Sequence, residues 1–348
     1  MTTGRTLIKY FMKHFKKNNL NIPLLYILAL SLLLFAIILG IALGATFLPV
    51  KSLLQALFQG QLSTATGKIL WYVRFPRVAG CMLCGAALAV SGAVIQAVLA
   101  NRLASPSVIG VNAGAGMAVT LCAACGILGG WQLSFFAFLG AFGAVALVSL
   151  GAKKWGASRS TVILMGVAMN ALMGAVNDTI RTFSPDVSIL SNHFRVGDFS
   201  AVTYTKLGPA AAVILICLIV LCTLTNELDV LALGDDNAKS LGMHTARMRT
   251  VFLILSAAMA GAAVSIAGLL SFIGLMVPHA VRRVAPYRSR HLIPLCALFG
   301  AGFVTLCDTL SRAVFAPYEL PVGILMAFMG VPFFLFILIK GKGGGRNG

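Results

Sequence analysis

Acidic residues are scarce in this chain: nine Asp and Glu stand against 27 Lys and Arg across 348 residues, and the four types together make up only 10%. Soluble domains carry about 25% charge, so the composition excludes a freely soluble enzyme or binding module. A nucleotide-hydrolysing engine is missing too, because no G-x-x-x-x-G-K-[ST] phosphate loop occurs. The nearest look-alike, Gly67-Lys68, lacks the first glycine and is followed by isoleucine. Nor do chains of Asp, Glu and His run through the apolar segments, as a proton-driven pump requires. The acids closest to membrane depth, Asp178 and Asp308, each stand near an arginine expected to neutralise them, Arg181 and Arg312. No Cys, His and carboxylate cluster has metal-ligand spacing, and no acid, base and nucleophile converge. No catalytic residue, metal site or cofactor is therefore expected.

What is present is apolar sequence, 59% of all positions. A hydrocarbon core of roughly 30 Å takes about 20 helical residues to cross. Such runs recur at about 24–48, 78–100, 108–128, 133–151, 161–181, 207–225, 251–267, 270–284, 292–312 and 320–340. The chain reads as an all-α, polytopic membrane protein of about ten transmembrane helices, with tails at 1–23 and 341–348 around one transmembrane domain, 24–340. The basic N-terminal tail resembles the start of a secretory signal. The run from Leu24 to Leu48 is longer than a signal's and lacks a cleavage site, so it reads as a retained first span. Pro278 falls in the middle of the eighth segment, where loss of a backbone donor predicts a break or kink. The third span, entered through Pro106 and Gly110, is expected to start inside the membrane, where irregular backbone is tolerable only if buried in protein or lining a cavity.

With ten spans and the N-terminus inside, 19 of the 27 Lys and Arg face the cytoplasm and 8 face out. That bias orients membrane proteins and puts both termini in the cytoplasm. It accounts for the formal charge of +18 without nucleic acid as a partner. Two Cys-x-x-Cys pairs, Cys81/Cys84 and Cys122/Cys125, lie in Gly/Ala-rich helical sequence. Thiolate chemistry needs a charge-stabilising setting, and here the thiols read as small hydrophobes. Gly40/Gly44, Gly110/Gly114 and Gly126/Gly130 have the spacing that lets transmembrane helices approach closely. An echo joins Gly85-Ala86-Ala87 with Gly92 to Gly261-Ala262-Ala263 with Gly268, each followed by a proline-containing segment. It reads either as an inverted repeat, common in transporters, or as coincidence in Ala/Gly-rich sequence.

Three places could carry function. In the largest cytoplasmic loop, Thr225 to Thr250, the stretch Leu233-Gly234-Asp235-Asp236-Asn237-Ala238-Lys239-Ser240-Leu241-Gly242 predicts a short surface helix. Its Asp residues complement the helix dipole, Ala238 and Leu241 form a small apolar face, and Gly242 can end the helix. On the outer side, Arg74 and Arg77 flank Phe75-Pro76 and Arg312 ends the ninth span. Guanidinium forks suit an acidic partner, while snorkelling anchors give the same pattern. The fifth span carries Met165, Met169, Asn170 and Met173, which read either as an adaptable pathway wall or as a plain core helix. His279 stands without metal-ligand partners and is assigned no chemistry.

Four motifs in order resemble one family. They are Arg74-Phe75-Pro76-Arg77; Asn101-Arg102-Leu103-Ala104-Ser105-Pro106 with Gly110-Val111-Asn112-Ala113-Gly114; the 233–242 stretch; and Phe272-Ile273-Gly274-Leu275-Met276-Val277-Pro278-His279 with Arg282, followed by Glu319-Leu320-Pro321-Val322-Gly323 and Gly330-Val331-Pro332-Phe333-Phe334. Over about 24–340 the chain is similar to the iron-siderophore, haem and cobalamin permeases of ATP-binding-cassette importers, the FecCD-like type II importers.

The resemblance implies a BtuC-like permease fold in a bacterial plasma membrane and an iron-siderophore cargo, with haem or cobalamin as alternatives. Iron would be cargo rather than cofactor. It implies two ATP-binding-cassette subunits, an extracytoplasmic binding protein, and a second permease copy or a related chain. The family docks its ATPases on a Leu-Gly-Glu-Glu-x-Ala-x-x-Leu-Gly loop, which maps to Gly234, Asp235, Asp236, Ala238, Leu241 and Gly242 with Asp in place of both Glu. It receives glutamates of its binding protein on arginines that match Arg74, Arg77 and Arg312. Its cytoplasmic gate maps to Asn101 and Leu103, beside Arg159 and Ser160, with Met165, Met169 and Asn170 along the path. Arg102 replaces the family's proline, so a rigid turn becomes a charged one. A self-sufficient secondary transporter, the remaining alternative, predicts coupling-ion acids at the midplane, and none is seen.

Overall fold

Long runs of Leu, Ile, Val and Ala can satisfy their backbone in an apolar medium only by forming helices or closed barrels. Among the described residues every regular element is a helix. The computed structural model describes residues 21–44, 46, 55–56, 64–127, 129–154, 158–285 and 288–342. Of the expected tails at 1–23 and 341–348, residues 1–20 and 343–348 lie outside the described residues.

Ten helices fall on the ten expected segments: α1 Ile22–Ala42, α2 Ala65–Val98, α3 Val111–Ala124, α4 Gly130–Lys154, α5 Arg159–Phe183, α7 Tyr204–Thr223, α10 Thr245–Ala267, α11 Ile273–Val284, α12 Ser289–Ala313 and α13 Val322–Lys342. Seven of these are long and apolar enough to cross a membrane unaided, and α3 and the apolar part of α13 are shorter. The sequence did not foretell α6, Pro185–Val196. Two short helices, α8 Thr225–Ala232 and α9 Asp235–Ser240, occupy the large loop.

Helices α2, α10 and α12 form the centre, with 78%, 72% and 67% of their apolar windows buried. The outer spans α1, α4, α5 and α7 bury only 17% to 28%. Leu28, Ile38, Leu147, Ile216 and Ile219 are half-exposed or more and suit contact with lipid. At the centre Gly85 of α2 lies directly on the backbone of Gly300 in α12, so that a Cβ on either would collide with the other. A Cβ on Gly92 would likewise collide with the backbone of Gly274 in α11, and Gly114 of α3 and Gly140 of α4 are seated on one another. Without a hydrophobic force between helices inside lipid, such close approach is what holds a bundle together. The glycine-spacing motifs only partly foretell these crossings. Gly40 packs against Val78 and Thr309 and Gly114 makes its crossing, but Gly126 and Gly130 have no neighbour within 4 Å of where a Cβ would stand.

Ser91 Oγ donates to Ser256 O at 2.8 Å and Cys84 Sγ to Ala263 O at 3.3 Å. Numbers rise on α2 as they fall on α10, so the two run antiparallel. Each is followed by irregular backbone and then a short helix, α3 or α11, the arrangement the sequence echo points to. At 14 and 12 residues these reach about 21 and 18 Å, less than a bilayer core. The irregular segments beside them are bonded internally: Asp198 N to Ala267 O and Leu269 N to Phe194 O, both 2.8 Å, and Ala104 N to Asn101 O at 3.1 Å.

The expected break at Pro278 is absent, and α11 is helical through it. The proline leaves the carbonyl of Gly274, four residues earlier, without its helical donor. Buried Gln96 of α2 supplies a replacement, Nε2 to Gly274 O at 3.1 Å. The irregularity sits ahead of the helix, where Phe272 takes φ 67°. Cys81, Cys84 and Cys122 are buried thiols, and Cys125 is exposed.

Candidate functional site

The loop between α7 and α10 folds into a fixed projection. Gly234, at φ 109° and ψ 156°, turns the chain between α8 and α9 in a conformation that side chains disfavour. After α9, Gly242 at φ 82° closes a Schellman motif, with Met243 N on Ala238 O at 3.0 Å and Gly242 N on Lys239 O at 2.9 Å. Asp235 starts α9 and ties it down. Its carboxylate accepts both hydrogen bonds from Arg249 of α10, at 2.6 and 2.7 Å, and pairs with Arg159 of α5 at 3.3 Å. Arg159 also donates to Leu231 O at 2.8 Å, and Asp229 of α8 accepts from the backbone N of Ser289 at the start of α12, at 3.0 Å. Burial works against the charge of Asp235, but the hydrogen bond and charge of Arg249, with Arg159 and Lys239 behind, hold its carboxyl below the ordinary value.

The projection is thus linked to three spans, and its outer surface is free. Asp236 is exposed, and Leu233 and Leu241 stand 59% and 66% exposed at the two ends of α9. The shared apolar face of Ala238 and Leu241 does not form: Ala238 is fully buried beneath the helix while Leu241 points out. Arg249 was legible only as loop charge, yet it lies on the buried stripe Thr245, Arg249, Phe252, Leu253, Ser256, whose spacing is a helix period.

The other three expected residues cluster at the far end of α2. A widened π turn over Leu70–Arg74 sets the register in which both Arg74 and Arg77 are buried. Arg74 donates to the carbonyls of Ile41, Ala42 and Thr46 at 2.6 to 2.8 Å, and Arg312 donates to Gly40 and Leu43 at 3.3 Å. All but that of Thr46, which follows the helix, belong to the end of α1, where a helix has no donors of its own and carries negative partial charge. Arg77 binds fully buried Asp308 at 2.9 Å, Glu319 at 2.7 Å and Asp198 at 3.9 Å, while Arg312 reaches Asp308 at 3.0 Å. The expectation of three open forks on the outer surface is therefore corrected. All three arginines are 2% to 4% exposed and internally engaged, because the carbonyl ends and Asp308 lie within their reach. The other expected pair, Asp178 with Arg181, does not form an ion pair. Both line a small cavity between α3, α5 and α6, where Arg181 Nε is buried without a hydrogen-bond partner.

The expected gate divides into two places. Asn101 Oδ1 accepts from Leu103 N at 2.9 Å, an Asx turn that replaces the rigid proline turn and leaves Leu103 44% exposed. This irregular stretch is pinned to α5 by Asn170, whose Nδ2 donates to Ser107 O at 3.0 Å and Val108 O at 3.3 Å. Met165 and Met169 are half-buried against the core and Met173 is buried, so their inner sides are core packing. Arg159 turns instead to the Asp235 network, and Ser160 is exposed. Among the described residues no hydrogen bond or ion pair joins Asn101 or Leu103 to Arg159 or Ser160. His279 stands edge-on to Phe333 at 6.1 Å, and its Nε2 has no hydrogen-bond partner.

Comparison with known proteins matches this arrangement to one family. The profile of the FecCD transport family fits residues 32–340. The iron-uptake system permease protein FeuB of Bacillus subtilis (strain 168) is 34% identical over 334 residues, 93% of this chain and 96% of that protein. The vitamin B12 import system permease protein BtuC of Escherichia coli O17:K52:H18 is 33% identical over 320 residues, covering 90% and 95%. Among solved structures, an inward-facing conformation of a metal-chelate type ABC transporter superposes with a TM-score of 0.80 at 27% identity, over 91% of this chain and 99% of that one. A multi-pass helical bundle without a phosphate loop, with a tethered projection in its largest loop and these relatives along nearly its full length, belongs to the FecCD transport family of ABC importer permeases, whose ATPase activity resides on a separate subunit.

Proposed function

We propose that this chain is the permease of an ATP-driven importer that moves an iron-siderophore complex from an extracytoplasmic binding protein into the cytoplasm of a bacterial cell. The observation that carries the energy-coupling half of this reading is the projection at Gly234–Gly242: exposed Leu233, Asp236 and Leu241 on a helix fixed by Asp235 to α5 and α10. Two ATPase subunits seat there, one on each of two permease copies. The transmembrane domain is 24–340, and both tails are cytoplasmic, as the basic loops indicate. The second copy, or a related chain, meets this one along α5. That helix is the least covered long span, and it exposes Asp178, a group unsuited to lipid. The cargo path runs beside α5, past Met165, Met169 and Asn170 toward the turn at Asn101 and Leu103, with Arg159 and Ser160 at its inner rim.

The binding protein seats at the Arg74, Arg77 and Arg312 end. Its acids reach Arg77 only by displacing Glu319, which is 36% exposed, so the arginines act there first as builders of the surface. Iron leads as cargo because FeuB is an iron-uptake permease by name, and cobalamin is the second reading because BtuC matches equally well. Proteoliposomes holding this chain, its ATPase and its binding protein test this with ferric siderophore, haem and cobalamin side by side. ATP-dependent uptake of ferric siderophore alone is expected. Uptake without the ATPase or binding protein would return the chain to the secondary transporters.

A further inference from the structure

A cavity of about 660 Å³ opens between the inner ends of α4, α5 and α10, against the side of α9. Five basic side chains line it: Lys153 of α4, Lys239 of α9, His244 ahead of α10, and Arg247 and Arg249 of α10. No Asp or Glu is among its lining residues. Arg249 is paired with Asp235, but among the described residues no acid forms an ion pair with Lys153, Lys239 or Arg247, and all three are exposed. The first turn of α10 lies in the wall at Thr245, Ala246 and Arg247, with no side chain capping its amides. Free amides there add to the attraction for an anion.

Apart from Ser149 and Thr250, the rest of the wall is apolar: Ala152, Val162, Met243, Val251 and Leu253. The same three spans carry the exposed side chains Leu147, Leu150, Leu164 and Ile254 within one or two turns of the cavity. Cations at the mouth and open aliphatic surface along the adjoining spans match the two ends of a phospholipid. Basic clefts between spans at the cytoplasmic face suit phosphate headgroups.

We propose that this cavity binds the phosphate headgroup of an anionic phospholipid, with Lys153, Lys239 and Arg247 as its cations. The lipid then touches α9 through Lys239 and the Asp235 anchor through Arg249, so it bears on the segment that receives the ATPase. The assignment to the cytoplasmic leaflet rests on the orientation proposed above. Binding itself does not.

The test uses the full chain in nanodiscs of phosphatidylcholine with and without phosphatidylglycerol, reading which lipid remains bound after detergent extraction. Selective retention of phosphatidylglycerol is expected, falling roughly tenfold or more in the K153Q/R247Q variant, with the melting temperature in pure phosphatidylcholine unchanged. Equal retention of both lipids, or retention unaffected by the variant, overturns the proposal. Displacement by millimolar inorganic phosphate as effective as that by phosphatidylglycerol assigns the site to a soluble anion and also overturns it. So does a variant that keeps its lipid but loses the ATPase subunit, which gives the cavity to that protein. Protease cutting of the Thr225–Thr250 loop in sided vesicles reads orientation separately: cutting from outside refutes the cytoplasmic assignment, even where lipid is retained.

Discussion

Arg77 and Asp308 are the residues on which the far end of the bundle turns. Their side chains are 4% and 1% exposed, and removing one partner from a buried pair leaves an uncompensated charge, which costs about 3–5 kcal/mol. Arg77→Ala and Asp308→Asn should each lower the melting temperature of the detergent-solubilised chain sharply. Replacing both by apolar residues of similar size should recover little, because buried Arg312 also rests on Asp308 at 3.0 Å and would be left without its carboxylate. A mild effect of the single changes would show the pair to be water-exposed. Charge reversal at Arg77 is accordingly a poor probe of docking, whereas Glu319→Gln leaves the buried pair intact. Gln96 offers a second residue-level test. Gln96→Leu should cost about 1–3 kcal/mol through the unmet Gly274 carbonyl, but much less in a Pro278→Ala background, where residue 278 can donate its own N–H. Additive losses in that double-mutant cycle would refute the substitution of one donor for another.

Among the elements, α9 has the clearest pH signature. The folded carboxyl of Asp235 titrates below its ordinary value of about 3.9, so its stabilising effect is complete above that value and is lost as pH falls through the lower folded value. Limited proteolysis of the Thr225–Thr250 loop should be slow and constant from neutral pH down to about 5 and should quicken only below about 4. In Asp235→Asn it should be fast throughout. An equally protected variant would remove Asp235 as the anchor.

The ten apolar segments were legible because lipid-crossing helices need little beyond length and apolarity. What escaped was polar or split. Helix α6 carries Asp186, His193 and Arg195 in 12 residues, and α2 starts at Ala65, ahead of Lys68 and two arginines that read as loop charge. At the candidate site the acidic helix and its glycine ends were legible, since turn chemistry is local. The partners Arg249, Arg159 and Asp229 were not, because they depend on which spans become neighbours.

On the scale of the whole molecule, the separation of a fixed anchor from an open surface predicts that coupling and stability can be broken independently. Leu233→Asp with Leu241→Asp alters only exposed side chains, so the fold should hold within about 0.5 kcal/mol per site while the ATPase no longer co-purifies and ATP-dependent uptake stops. Retained co-purification would move the contact elsewhere.

The mutual contact of Gly85 with Gly300, together with the seating of Gly92 on the backbone of Gly274, bears on how such a bundle can move. Two backbones seated on one another leave no side-chain cushion along which the helices could slide. Any alternation between open and closed states must therefore carry α2, α11 and α12 as one rigid block, with displacement confined to the thinly covered rim around α5.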